Sequence, residues 1–266
     1  MISVIIVSFN TKSLTRKCLQ SIKVFEDIKN LEIIVVDNNS QDGSVAMIKK
    51  GFPFVKLIIN NNNLGFAKAN NQGIKQAKGD YILLLNSDTE FQSQHTLEKL
   101  IKNAQSIDCI GVISPQLLNS DGSIQASVYY FPTVTRALKQ YWLGQSGYFG
   151  SFIPEGKVPQ PVEVVTMAAM LILRSTINKI GLLDEGYFFY YQDLDYCCRI
   201  KQEGLKVYYL PSVQIIHHHG KSGQDLAKDE NQWRRLIPGS IRYHGLFKHY
   251  LIHFILWTGQ KFRSRL

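Results

Sequence analysis

The sequence predicts an α/β fold built on a mostly parallel, twisted sheet flanked by helices. Three observations carry that prediction. Short apolar runs of strand length alternate with segments of helical periodicity. Gly and Asn gather after the runs. The runs also end at carboxylates: Asp37, Asp88 and, after an aromatic run, Asp193 and Asp195. The C-terminal ends of parallel strands are where such sheets hold ligands.

The elements follow in order. Residues 2–8 read as a buried strand. Asn10 and Thr11 are placed to cap a helix over 14–22, with apolar positions at Leu14, Cys18, Leu19 and Ile22. A second strand spans about 32–36 and closes on Asp37. Asn38 to Gly43 is turn chemistry, and a helix then runs through Val45 and Ile48. Residues 55–59 form a third strand and Asn60 to Gly65 a loop. A helix follows to about Ala77, where Gly79 stops it, and a fourth strand leads from Tyr81 to Asp88. The second half is less regular. Residues 120–163, rich in Gly, Pro, Ser and aromatics, read as a mobile excursion over the site. Residues 164–173 read as a strand, 194–203 as a helix ended by Gly204, and 206–210 as a strand ended by Pro211. From about Pro238, Phe247, Tyr250, Leu251, Phe254 and Trp257 recur at helical spacing, with Arg242, Lys248, His249 and His253 on the other faces.

The chain has 266 residues and 45% hydrophobic content, enough for one large domain or two small ones with a sizeable core. Its net charge of +9 is uneven: from Arg234 onward there are seven Lys or Arg and no Asp or Glu. The expected division is a body over 1–233 and a basic amphipathic tail over 234–266, the tail suited to an anionic surface. No apolar stretch approaches the roughly 20 residues of a membrane span. The opening Met1-Ile2-Ser3-Val4 lacks the charged region of a signal peptide. A cytoplasmic location follows as the expectation, at the inner face of the membrane if the tail engages it. Cys18, Cys109 and the adjacent Cys197 and Cys198 show no metal spacing and read as buried reduced thiols.

Four constellations carry chemistry. Asp37, with Asn38, Asn39 and Ser40 after it, can accept hydrogen bonds from a base or ribose, or simply close an Asx-turn. In Asn86-Ser87-Asp88, a carboxylate with a carbonyl oxygen beside it suits Mg²⁺ or Mn²⁺ on the diphosphate of a sugar nucleotide. Asp193 and Asp195 diverge on a helix. One can face the site as a base while the other pairs with Arg199 or complements the helix dipole, worth only about 0.3–1 kcal/mol. Finally, His217-His218-His219 follows a strand, and imidazole serves either as a metal ligand or as a phosphate partner.

Together these segments resemble the family 2 glycosyltransferases, inverting enzymes of the GT-A fold. The matching stretches are Ser3 to Asn10, Val35 to Ser40, Asn63-Leu64-Gly65-Phe66-Ala67, Leu84 to Asp88, and Gly181 to Arg199, covering residues 1 to about 223. Asp121-Gly122-Ser123-Ile124-Gln125 with Phe131-Pro132 looks like the bacterial rhamnosyltransferase branch. The resemblance implies a Rossmann-like nucleotide-binding half over 1–115 and an acceptor half over 116–233. It implies that Asp37 contacts the base and that Ser8, Asn10, Asn39, Asn63, Gly65, Asn86 and Ser87 line the nucleotide-sugar pocket. Asp88 and His217 would hold the divalent cation, and Asp193 would be the catalytic base. Asn86 stands in place of the first Asp of the family's D-x-D, and Gln192 where an acid is common before the base. The implied partners are a nucleoside-diphosphate sugar, dTDP-rhamnose being one candidate, and a glycan or lipid-linked acceptor in cell-surface polysaccharide synthesis.

Other classes fit less well. A sugar nucleotidyltransferase wants a Gly-rich basic phosphate loop where this chain has Ser8-Phe9-Asn10-Thr11. A glycosidase uses paired carboxylates without a nucleotide pocket. A non-catalytic nucleotide-sugar or glycan-binding module has no need of Asp37, Asp88 and Asp193 together. A nucleic-acid partner is not expected, because the strand-end carboxylates repel phosphates unless a metal intervenes.

Overall fold

The computed structural model describes residues 1–218 and 232–263. The first half alternates strand and helix: β1 (Ile2–Ser8), α1 (Lys12–Phe25), β2 (Leu31–Asp37), α2 (Ser44–Gly51), β3 (Val55–Ile59), α3 (Phe66–Gln76) and β4 (Tyr81–Asn86). Next come β5 (Thr89–Phe91), α4 (Thr96–Gln105) and β6 (Ile110–Leu118). The second half holds β7 (Val128–Tyr129), α5 (Val134–Ala137), β8 (Gln160–Val162), β9 (Val164–Val165), β10 (Ala169–Leu173), α6 (Arg174–Ile180), α7 (Gln192–Gln202), β11 (Lys206–His217) and α8 (Gln232–Arg263).

Among the described residues nine strands form one sheet in the order β3-β2-β1-β4-β10-β6-β11-β5, with β8 on β11. The four N-terminal strands pair in parallel, as the alternating pattern predicts. β10 then enters antiparallel between β4 and β6, and β11 runs parallel to β6, so the sheet is mixed. The two faces separate cleanly by residue parity. On β1, Val4 and Ile6 pack with α1 and α2, while Ile5 packs with α3 and its neighbours. On β4, Leu83 and Leu85 take the first face, Ile82 and Leu84 the second. Each such buried aliphatic contributes about 1.5–3 kcal/mol.

Several expectations change in detail. Thr11 does not cap α1 with its side chain. Asp42 does so from the next loop, its Oδ2 accepting the Lys12 N–H at 2.7 Å. Residues 166–168 interrupt the strand expected over 164–173. β11 continues past Pro211 to His217 because the register shifts between Leu210 and Gln214, a bulge that absorbs a residue with no N–H. The stretch over 120–163 is anchored by the buried Val128 and Ala137 and by a bidentate Arg136–Glu163 pair at 2.6 and 2.8 Å. Cys18 and Cys197 are buried, whereas Cys109 is exposed. The last helix begins at Gln232 and loses helical geometry at Gly245 (φ 74°, ψ 160°). Its inward residues are His249, Ile252 and Ile255; the stripe of Phe247, Tyr250, Phe254 and Trp257 faces outward.

Candidate active site

Parallel register sets the first part of the site. Ser8 pairs with Asp37, and Val7 with Asn86, so the ends of β1, β2 and β4 share one edge of the sheet. Asp37 is fully buried. Its Oδ1 accepts the Ser40 N–H at 2.9 Å, while Oδ2 has no partner among the described residues. A buried carboxylate oxygen left this way asks for a donor, which a nucleobase or ribose supplies.

The neighbouring loops are built to keep that oxygen in place. Asn10 (φ 52°) accepts the Gln41 N–H at 2.8 Å on Oδ1 and donates its own N–H to Ser40 Oγ at 3.0 Å. Asn39 (φ 71°) accepts from Gln41 Nε2 at 2.9 Å. Asn38 donates to Asn63 Oδ1 and the Gly65 carbonyl, and accepts from Asn60, which trades hydrogen bonds with Gln72. Sequence reading missed Asn38, Asn60 and Gln72 as a network; the Asn-rich loop was its only sign. Ser8 and Ser87 are buried and turn toward α1. With Thr11 and Thr15 they form a buried hydroxyl cluster at 3.0–3.2 Å that joins β1, α1 and the end of β4.

Gly65 sits at φ 80°, and a Cβ there would lie 2.6 Å from the Phe188 carbonyl oxygen. Phe66 N–H donates to that same oxygen at 2.8 Å. Only glycine fits this conformation and approach. The contact ties the loop before α3 to the loop before α7.

The second part brings together residues from opposite halves of the chain. His217 pairs with Thr89 in the β11–β5 ladder, which places its ring beside Asp88. His217 Nε2 lies 3.5 Å from Asp88 Oδ1 and 3.3 Å from Asn86 Nδ2. Both Asp88 and His217 are buried. Gln125 fixes the imidazole. Its Nε2 donates to the Asn119 side chain and the His217 carbonyl, so its Oε1 is left to accept from His217 Nδ1 at 2.8 Å. The proton therefore sits on Nδ1, and the Nε2 lone pair is turned toward Asp88, the arrangement of a metal-binding histidine. His218 turns away to Glu90 and Ser120 at 2.8 and 2.6 Å, and His219 lies outside the described residues. A carboxylate oxygen and an imidazole nitrogen facing one another fit a divalent cation. Among the described residues no group of three candidate ligands occurs. The described residues thus offer Asp88 and His217 as donors, and bound phosphates would supply others.

The third part is the N-terminus of α7. Tyr190 and Tyr191 both have positive φ (70° and 68°), a strained pair of the kind held at functional sites. Nothing in the local sequence signals it. Asp193 follows, partly open to solvent, with Leu194 N–H donating to its Oδ1 at 2.9 Å. Burial pushes its pKa up to about 6, near the range of a working base. Tyr129 of β7 faces the same carboxyl: burial, then the charge of Asp193, raises its phenol. Asp195 diverges as the helix requires and pairs with Arg199 at 2.9 Å. Gln192 is buried, and its Oε1 lacks a partner among the described residues. Asn71 holds the loop from α3, exchanging hydrogen bonds with both the N–H and the carbonyl of Leu183. Arg242 holds it from α8, donating twice to Asp184 at 2.8 Å.

The chain has relatives. A family model described as glycosyl transferase family 2 matches residues 3–169. An N-acetylglucosaminyl-diphospho-decaprenol L-rhamnosyltransferase of Mycobacterium tuberculosis is 26% identical over 215 residues, covering 74% of this chain and 70% of that protein. The rhamnosyltransferase WbbL of Escherichia coli is 24% identical over 261 residues, 91% of this chain and 92% of its own length. Among solved structures, GalNAc-T7 with UDP, GalNAc and Mn²⁺ superposes with a TM-score of 0.62 at 18% identity. That match covers 82% of this chain, which spans 43% of that one. At such identity the likeness establishes the shared fold.

Proposed function

The chain belongs to glycosyl transferase family 2, and from that premise we propose that it moves a sugar from a nucleoside diphosphate to an acceptor hydroxyl with inversion. The observation that carries this reading is the approach of His217 Nε2 to Asp88 Oδ1, both buried, at the C-terminal edge of the sheet. Residues 1–115 hold the donor, with the open oxygen of Asp37 taking its base or ribose and Asn10, Asn39, Asn63, Gly65 and Asn86 shaping the pocket. The hydroxyls of Ser8 and Ser87 support that pocket from beneath. A cation at Asp88 and His217, Mg²⁺ or Mn²⁺, would offset the charge gathering on the departing diphosphate.

Asp193 takes the proton from the acceptor hydroxyl as that oxygen attacks the anomeric carbon. The nucleoside diphosphate leaves from the opposite face. A positioned base is worth about 10²–10⁴ in rate, or about 3–5.5 kcal/mol of barrier. Rhamnose is the favoured sugar, because two relatives are rhamnosyltransferases. The favoured acceptor is a sugar on a lipid diphosphate, the class in the mycobacterial relative's name.

No described helix is long and apolar enough to cross a membrane. The outer segment of α8 instead turns Leu246, Phe247, Tyr250, Phe254 and Trp257 outward, each more than half exposed, and Lys261 lies 4.1 Å over the Trp257 ring. An aromatic stripe with basic flanks suits the interface of an anionic membrane at its cytoplasmic face. Nucleoside diphosphate release, followed with Mn²⁺ or Mg²⁺ against dTDP-rhamnose, UDP-hexoses and GDP-mannose, tests the reading. Release from one donor that requires metal supports it; no release and no thermal shift with any donor overturns it.

A further inference from the structure

A cavity of about 620 Å³ lies between the outer face of α7 and the C-terminal helix, closed on a third side by the start of α5. It is not the pocket of Asp37 and Asp88. Its cations are Arg199, Arg242 and Lys248, set against Asp184 and Asp195. The two carboxylates are already paired, Asp195 with Arg199 and Asp184 with Arg242. Arg199 is committed further, its remaining nitrogens donating to the carbonyls of Ile180 and Leu182, so it contributes charge rather than new contacts. Arg242 uses Nε and Nη2 on Asp184, which leaves Nη1. Lys248 is exposed, and among the described residues no acceptor pairs with it. The lining keeps a net positive charge and two donors to spare on exposed side chains, which suits an anion. His244 in the same wall adds no charge of its own: burial, then the charges of His249, Lys248 and His253, lowers its pKa to about 4.

Gly186 shows that the guanidinium belongs there. A Cβ at that position would lie 2.1 Å from Arg242 Cζ, so the loop before α7 is shaped to receive it. The location then narrows the anion. Asp195 lines the cleft, and Asp193 lies two residues earlier on the other face of the same first turn. A helix with its side chains is about 10–12 Å across, the span a hexose and its diphosphate would cross past Tyr191, which packs on Tyr243 and His244 at this end of α7. On the far side, Lys248 adjoins Phe247, the most exposed residue of the outward stripe.

We propose that this cleft seats the diphosphate of a lipid-linked acceptor, with Lys248 and Arg242 as its donors, the acceptor sugar directed toward Asp193 and the lipid toward the aromatic stripe. The inference rests on the glycosyltransferase reading and adds to it the anchor of the acceptor.

The test uses the full chain and farnesyl diphosphate as probe, titrated calorimetrically in EDTA so that the cation site cannot recruit it. Farnesyl diphosphate is expected to bind wild type and the Asp88→Asn variant equally. Lys248→Gln and Arg242→Gln are each expected to weaken it about 5–10-fold, and farnesol is expected to bind far more weakly. Raising salt should weaken the complex further. Loss of binding in Asp88→Asn with none in Lys248→Gln or Arg242→Gln would place the probe in the donor site and overturn the proposal. Equal binding of farnesol and farnesyl diphosphate, or no binding of either, would overturn it as well. Donor-driven release of nucleoside diphosphate from the same preparation separates the two levels. A chain that releases it but shows no Lys248-dependent probe binding loses only this inference.

Discussion

Replacing Asp193 by Asn is expected to slow the enzyme and strengthen its fold at the same time. Burial moves this carboxyl from 3.8 to about 6. About two units at 1.36 kcal/mol each amount to about 3 kcal/mol. Because the side chain keeps part of its surface in solvent, screening trims this to about 1–3 kcal/mol. The folded pKa lies above the unfolded one, so the native state binds the proton more tightly. That contribution is complete below about pH 4 and is lost as pH rises through about 6. At pH 8 the ionised carboxylate carries the whole penalty. Asn removes the charge, and its Oδ1 still accepts the Leu194 N–H. Urea unfolding should therefore show little difference between variant and wild type at pH 4, and a gain of about 1–3 kcal/mol for the variant at pH 8. Turnover should fall about 10²–10⁴-fold, and wild-type kcat/KM should climb tenfold per pH unit until about pH 6. A variant less stable than wild type at pH 8, or one with full turnover, would refute the assignment of Asp193 as a desolvated base.

Other outcomes follow from the geometry. A cation held through Asp88 and His217 needs oxygen ligands from the diphosphate as well, so Mn²⁺ titrated calorimetrically should bind tightly only when a nucleoside diphosphate is present, and His217→Ala should abolish that synergy. Gln125→Ala removes the group that sets the His217 tautomer, and should raise the Mn²⁺ concentration for half-maximal donor hydrolysis about 10–100-fold. Gly65→Ala combines positive φ with a clash on the Phe188 carbonyl, so thermal unfolding should report a loss of at least about 1–3 kcal/mol. Phe247→Ser with Trp257→Ser should cut co-sedimentation with anionic vesicles without changing turnover on a soluble acceptor.

The parallel half was legible because its strands are short apolar runs that end on polar residues, and register alone brings Ser8 level with Asp37 and Val7 level with Asn86. Asp195–Arg199 was legible because four-residue spacing on a helix leaves few alternatives. Other features hide in tertiary context. Pro211 looks like a stop until a bulge removes its obligation to donate. The C-terminal helix has apolar residues on more than one face, so periodicity alone does not say which stripe packs, and Ile252 and Ile255 do. The left-handed Tyr190 and Tyr191 break local preference, and only the packed surroundings hold them there. Gln125 was noticed as part of a motif, but its hold on His217 required the fold.

The antiparallel entry of β10 bears on how the chain comes off the ribosome. β4 is an apolar strand whose second neighbour, β10, is made roughly ninety residues later. At about 5–20 residues per second, that leaves an open edge for on the order of ten seconds. Throughout that interval Ile82 to Leu85 present unpaired backbone and aliphatic side chains to any passing strand. A fragment ending before Ala169 would keep the edge open permanently, so expression of the donor half alone is expected to yield aggregate. The half to which we assign the donor thus depends, for its lifetime in the cell, on a strand from the other half.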